Sequence, residues 1–253
     1  MASSPWNRVL DRPNDDHLVQ FYGSDDHALV VNVTKYLAEG LKRGEAGIVI
    51  ATPAHIALFS HNLRDSGPRI AWLGADQTLS EFMVDGMPDW DRFEQTISPA
   101  IQSIRAEATG LRAYGEMVGL LWSAGKYAAA VRLEQFWNRL LARTSFTLFC
   151  GYPIDILSKD FDPDAVDALL CSHTHVVPAG NGKLEASICR AIEEVLGSKA
   201  ETAEAAMKEQ CFRARWAILP RSEALILWIR RYLPAQADEI LARARSYSGA
   251  TAV

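Results

Sequence analysis

Two hydrophobic periods alternate along the first two thirds of the chain. HLVQFY at 17–22 is a short apolar run that ends at Gly23, and a helical spacing follows over Ala28 to Leu41, with apolar residues at 30, 33, 37 and 41. AGIVIAT at 46–52 is apolar and β-branched almost throughout, the pattern of a strand covered on both faces. Pro53 then opens a helix to about Arg64. RIAWL at 69–73 reads as a short strand, an acidic segment runs through Trp90, and a long helix is predicted from about Asp91 to Thr109, where Gly110 stops it. LRAYGEM at 111–117 reads as a strand running into a helix, a second helix covers about Lys126 to Arg143, and SFTLFCGYP at 145–153 is the next apolar strand. Strands alternating with helices predict an α/β fold, with a mainly parallel central sheet carrying helices on both faces.

Beyond Pro153 the pattern changes. A helix is predicted from about Asp164, PAGNGK at 178–183 reads as a linker, and the remainder is helical at about 184–196, 200–217, 222–232 and 235–247. The chain therefore divides into an N-terminal extension at 1–15, an α/β domain at 16–180 and an all-helical C-terminal segment at 181–253. That segment holds 11 Lys/Arg against 9 Asp/Glu, so it is nearly balanced and suited to contact protein rather than DNA. Its apolar side chains Trp216, Ile218, Leu225, Leu227, Trp228 and Leu233 need cover.

Charge and composition narrow the function classes. A net charge of -5 and a pI near 5.7 argue against a broad phosphate-binding surface. No apolar stretch reaches the roughly 18 residues of a membrane span, and the first residues lack a signal-peptide pattern, so a cytoplasmic location is expected. The four cysteines, Cys150, Cys171, Cys189 and Cys211, form no CxxC pair and read as reduced and mostly buried.

In nucleotide-binding α/β domains the first strand leads into a glycine-rich, lysine-bearing phosphate loop. Here the corresponding loop is YGSDDHAL, with one glycine, no lysine and two adjacent aspartates, so it would repel phosphate. It places His17, Tyr22, Asp25, Asp26 and His27 near the carboxyl end of the first strand, where open α/β sheets form their ligand crevice; the aspartates equally suit a helix cap. Glu116 follows its strand directly and suits a polar anchor or, less well, a general base. Glu134, Trp137 and Asn138 lie on adjoining faces of one helix, and Leu133, Phe136, Trp137 and Leu140 read as core with Glu134 as an ion-pair partner at its rim. Cys171, His173 and His175 would share one face of an extended segment, a weak metal signal that more simply reads as structural. No Ser/His/Asp arrangement, dinucleotide fingerprint or HExxH is present, so neither cofactor nor metal is expected and the chain does not read as an enzyme.

The blocks HLVQFYGSDDHAL, AEGLKRGEAGIVIATPAH, RAYGEMVGLLWSAGKYAAAVRLEQFWNRL, LFCGYP and CSHTHVVP resemble, in order and spacing, the MEDS domain named for methanogen and methylotroph sensors, over about residues 16–178. The resemblance implies a RecA/KaiC-like core without its phosphate loop, and a sensor of small hydrocarbon derivatives linked to dichloromethane-responsive regulators and histidine kinases. Positions matching its motifs include His17, Tyr22, Arg112, Glu116, Trp122, Glu134, Trp137, Asn138, Cys150, Tyr152, His173 and His175. The family's regulators carry a DNA-binding segment ahead of the sensory domain, and about 16 residues stand there here, so direct DNA binding is not expected. The expected function is a ligand-responsive signalling protein. A small, largely apolar molecule would enter near Tyr22, Glu116 and Tyr152, and the helical tail would pass the signal to a histidine kinase or transcription regulator, or dimerise. A ligand-free interaction module is the alternative, and an enzyme using Glu116 with His17 or His27 as an acid/base pair a distant third.

Overall fold

A parallel sheet with helices on both faces organises the larger part of the chain. The structure, a computed structural model, describes residues 5–11, 16–64, 69–179, 183–209 and 217–249. The chain divides into two compact units, Met1–Gln20 with His27–Pro153, and Phe21–Asp26 with Ile154–Val253.

In the first unit α1 (Pro5–Asp11) precedes β1 (His17–Phe21), whose last residue clusters with the second unit. Then follow α2 (His27–Lys42), β2 (Ala46–Ala51), α3 (Pro53–Asn62), β3 (Ile70–Gly74), α4 (Ala75–Phe82), a hairpin of β4 (Met83–Val84) and β5 (Met87–Pro88), α5 (Trp90–Arg105), β6 (Leu111–Gly115), α6 (Met117–Ser123), α7 (Tyr127–Leu141) and β7 (Thr147–Tyr152). The strands lie in the order β3-β2-β6-β7-β1, and the parallel register sets Val49 beside Trp72 and Tyr114, and Tyr114 beside Phe149. Every residue of β2, β6 and β7 is buried, as their nearly unbroken apolar runs lead one to expect.

Side chains along β7 alternate between two helical layers. Phe149 meets Tyr36 of α2 edge-on at 5.5 Å, and Tyr114, which meets Phe149, also meets Phe59 of α3 at 5.3 Å. Cys150 and Tyr152 point the other way, to Glu134 of α7. On that side Phe93 of α5 packs edge-on to Trp137 at 5.0 Å, and to Phe82 at 5.3 Å. These rings fix the roll of α7.

Two features of this unit go beyond the predicted elements. The acidic stretch before Trp90 contains α4 and the small hairpin, which turns on Asp85 and Gly86, both at positive φ, as the two-residue Asp-Gly turn demands. Two-residue strands show no period, and α4 buries only Ala75, Thr78 and Phe82. The extension at 1–15 also holds α1, seven residues long and too short to show a helical stripe.

The second unit contains α8 (Pro163–Leu170), β8 (His175–Val176), α9 (Lys183–Leu196), a 3-10 turn at Gly197–Lys199, α10 (Ala200–Glu209), α11 (Arg221–Tyr232) and α12 (Pro234–Ser248). Asp162 caps α8 by accepting from the Asp164 amide at 2.9 Å. Ile188 and Ile192 of α9, Leu225 and Ile229 of α11, and Ile240 and Leu241 of α12 form its core. Because α8 packs with α11, and Arg231 pairs with Asp167, the segment from Ile154 clusters with the tail, ahead of the linker at 178–183. Of the tail's apolar residues, Leu225 and Leu227 are buried, Trp228 and Leu233 half-buried and Ile218 exposed; Trp216 lies outside the described residues, as does the end of the helix predicted at 200–217. Among the described residues no helix is long and apolar enough to cross a membrane.

Glu223 is buried in α11, accepting from the Ala179 amide at 2.9 Å and the Ser222 hydroxyl at 2.5 Å. Burial, the largest cause, raises its pKa above the usual carboxyl value. A carboxyl raised on folding contributes its stability in full below the unfolded pKa and loses it as pH rises through the folded value. Relative to Glu223→Gln, the native chain should therefore lose stability over a pH range that begins near the ordinary carboxyl value of 4.5 and extends upward. Urea midpoints measured across that range check this, and parallel pH profiles for the two proteins would contradict it.

Candidate functional site

Two clusters of buried polar groups lie on opposite faces of the sheet. The first lies at the carboxyl ends of β2 and β6. From there the chain runs into α3 on one face and towards α6 and α7 on the other, which makes this a topological switch point of the sheet. Thr52 caps α3 by accepting from the His55 amide at 3.4 Å, and Pro53 fixes the first turn, so the His55 ring is held against the sheet and stacks on Phe59. Glu116, 2% exposed, follows β6, and its amide donates to Ile50 O at 2.9 Å. Its carboxylate accepts from the Thr52 amide at 2.8 Å, the Tyr114 hydroxyl at 2.7 Å and the His55 ring through Nδ1. The histidine beside Glu116 is thus His55, which the sequence reading did not single out. Its only signal was its place on the first turn after a TP step at the end of a buried strand.

Tyr114 reaches Glu116 across Gly151 of β7. A Cβ on Gly151 would stand 2.5 Å from the Tyr114 hydroxyl. Gly151→Ala should displace that hydroxyl and destabilise the fold by about 1–3 kcal/mol, the usual cost of an overpacked core. Tyr114→Phe in the same chain should recover part of the loss, and denaturation midpoints of the single and double variants measure how much.

The second cluster lies under α7. His17 Nδ1 is 2.9 Å from Asn138 Oδ1, and its Nε2 is 3.4 Å from Cys150 Sγ and 3.2 Å from Glu134 Oε2. The Cys150 thiol is 3.8 Å from Glu134 Oε2, and the Tyr152 hydroxyl donates to Glu134 Oε1 at 2.6 Å. Glu134 therefore lies inside the core, fully buried, rather than at the rim expected for it, because its position on α7 turns inward with Leu133 and Trp137. Burial pushes the Cys150 thiol and the Tyr152 hydroxyl well above their ordinary pKa values, and the Glu134 charge adds to both shifts. Both groups are neutral at physiological pH as long as no cation stands beside them. Among the described cysteines Cys150 is buried, Cys171 exposed and Cys189 half-buried; Cys211 lies outside the described residues.

The remaining candidates are placed elsewhere. Arg112 sits at the opposite end of β6 from Glu116, donating to Glu45 at 2.5 Å and to the carbonyls of Leu10, Tyr36 and Asp11 at 2.6, 2.7 and 2.9 Å. A Cβ on Gly40 would meet its Nε at 2.5 Å, so Gly40 leaves the room that the guanidinium fills. Trp122 is half-buried and meets Tyr152 edge-on at 5.9 Å, while Trp137 belongs to the aromatic layer of α5 and α7. His27 is exposed at the start of α2. In the second unit Tyr22 and Asp26 are half-buried and Asp25 exposed. His173 is buried, with Nδ1 2.7 Å from Leu169 O, and His175 lies in β8 with Nδ1 3.0 Å from the Thr174 hydroxyl. Cys171 caps α8 in a helical conformation, so the period-2 reading that put Cys171, His173 and His175 on one face does not apply: Cys171 is exposed and His173 buried.

The sheet and its clusters define a parallel α/β domain that concentrates histidine and carboxylate groups in its interior. A family model described as the MEthanogen/methylotroph, DcmR Sensory domain, MEDS, matches residues 16–174, well over half of the chain, and the chain belongs to this sensory-domain family. No curated protein and no solved structure matches it.

Proposed function

We propose that the chain is a ligand-responsive signalling protein. It binds a small, largely apolar molecule at the carboxyl edge of β2 and β6 and passes the signal to a protein partner, a histidine kinase or a transcription regulator, through its helical C-terminal segment. Membership of a sensory-domain family carries this reading. The Glu116 cluster supports its location, since ligands of open α/β sheets bind outside the carboxyl ends of strands at a switch point. The aromatic surroundings of that cluster, Phe59 and Tyr114, suit an apolar molecule with one polar group. Response requires only that the ligand favour one conformation over another, without turnover.

Thermal-shift and calorimetric titration of the purified chain with short halocarbons, alcohols and methylated compounds tests the reading. Saturable stabilisation by one chemical class, weakened at least tenfold by Glu116→Gln, is the expected result. A flat response across the three classes would remove the ligand, and an unaltered affinity in Glu116→Gln would move the site elsewhere.

A further inference from the structure

The cluster under α7 has the geometry of a preformed metal site, and we propose that His17 Nε2, Glu134 Oε2 and Cys150 Sγ bind a thiophilic divalent transition metal ion, with zinc the first choice. Each residue offers one donor atom, and the three donors lie within 4.8 Å of one another in a buried setting. Their separations are 3.2 Å from nitrogen to oxygen, 3.4 Å from nitrogen to sulfur and 3.8 Å from sulfur to oxygen. Donors sharing a tetrahedral zinc at ordinary bond lengths stand about 3.3–3.6 Å apart. The three atoms already mark one face of such a tetrahedron, and small movements complete it.

The surrounding hydrogen bonds orient these donors. Asn138 Oδ1 accepts from His17 Nδ1, the tautomer that turns the Nε2 lone pair to Glu134 and Cys150. The Tyr152 hydroxyl occupies Oε1 of Glu134 and leaves Oε2 facing the histidine. In that tautomer a ring nitrogen, a carboxylate oxygen and a thiol sulfur converge on one buried point. A cation takes the thiol proton's place and offsets the buried charge of Glu134. A mixed sulfur, nitrogen and oxygen set suits zinc, or iron(II) and cobalt(II), and not magnesium or calcium. A fourth donor, from water or from the chain, completes tetrahedral coordination. The sequence concealed the site because its three residues come from β1, α7 and β7, with no short ligand spacing to mark it.

The full chain, stripped with chelator and dialysed, is titrated with Zn2+ alone and with Co2+ alone. One equivalent per chain is expected, with a thiolate-to-cobalt charge-transfer absorption in the near ultraviolet. Glu134→Gln, which keeps a partner for Tyr152, should weaken Zn2+ binding at least tenfold, and Asn138→Ala ten- to a hundredfold with the absorption band retained. Cys150→Ser should abolish the band, whereas Cys171→Ser, Cys189→Ser and Cys211→Ser should keep it. Should Cys150→Ser fail to fold, the band's survival in the other three cysteine variants together with its weakening in Glu134→Gln assigns the sulfur. Absence of stoichiometric binding by the folded native chain would overturn the proposal, as would a band that persists in Cys150→Ser or is lost in one of the other cysteine variants. These readouts are independent of any organic ligand.

Discussion

Replacing Arg112 by leucine is expected to destabilise the first unit by about 3–5 kcal/mol, the range for breaking a buried, hydrogen-bonded ion pair. Arg112 is 1% exposed and supplies donors to three backbone carbonyls as well as to Glu45. Leucine replaces none of these bonds, so the carbonyls of Leu10 and Asp11 at the end of α1 and of Tyr36 in α2 lose a buried partner. Chemical denaturation gives the size of the loss. Hydrogen exchange locates it, with protection expected to fall first in α1. A double-mutant cycle with Gly40→Ala sharpens the test: the added methyl clashes with Arg112, so it should cost much less once the guanidinium is gone. A loss below about 1 kcal/mol would show that these bonds are matched by water in the unfolded chain and hold α1 only weakly.

Glu116→Leu should have the next largest effect, about 2–4 kcal/mol, because it strands buried donors on His55 and Tyr114 and the half-buried Thr52 amide, at about 1–3 kcal/mol for each fully buried group. Glu116→Gln keeps an acceptor and should cost less than half as much. Urea midpoints of the two variants decide whether the carboxylate organises this edge of the sheet. Equal losses would mean that charge matters more than hydrogen bonding.

The parallel sheet was legible because β2, β6 and β7 are buried on both faces and so carry nearly unbroken apolar runs, while α2 and α7 carry a clear stripe. Short elements were not. α1, α4 and the Met83–Pro88 hairpin are each too brief for a period to accumulate, and α1 is held by Arg112, a residue about 100 positions away. Of the candidate residues, Glu116 and Glu134 stand in buried clusters, but their partners His55, Tyr114 and Cys150 follow from which strands are neighbours. A single sequence shows that a carboxylate ends a strand. It does not show which histidine the sheet will bring to it.

Gly151 and Tyr114 share one volume between adjacent strands, and this ties their histories together. A lineage that gains a side chain at 151 must first shorten the residue at 114, since the opposite order passes through an overpacked intermediate. Shortening residue 114 also frees a lone pair on Glu116, so a change in packing becomes a change in what that carboxylate can accept. Drift at one small residue of β7 is therefore coupled, through residue 114, to the hydrogen bonding of a carboxylate at the carboxyl edge of the sheet.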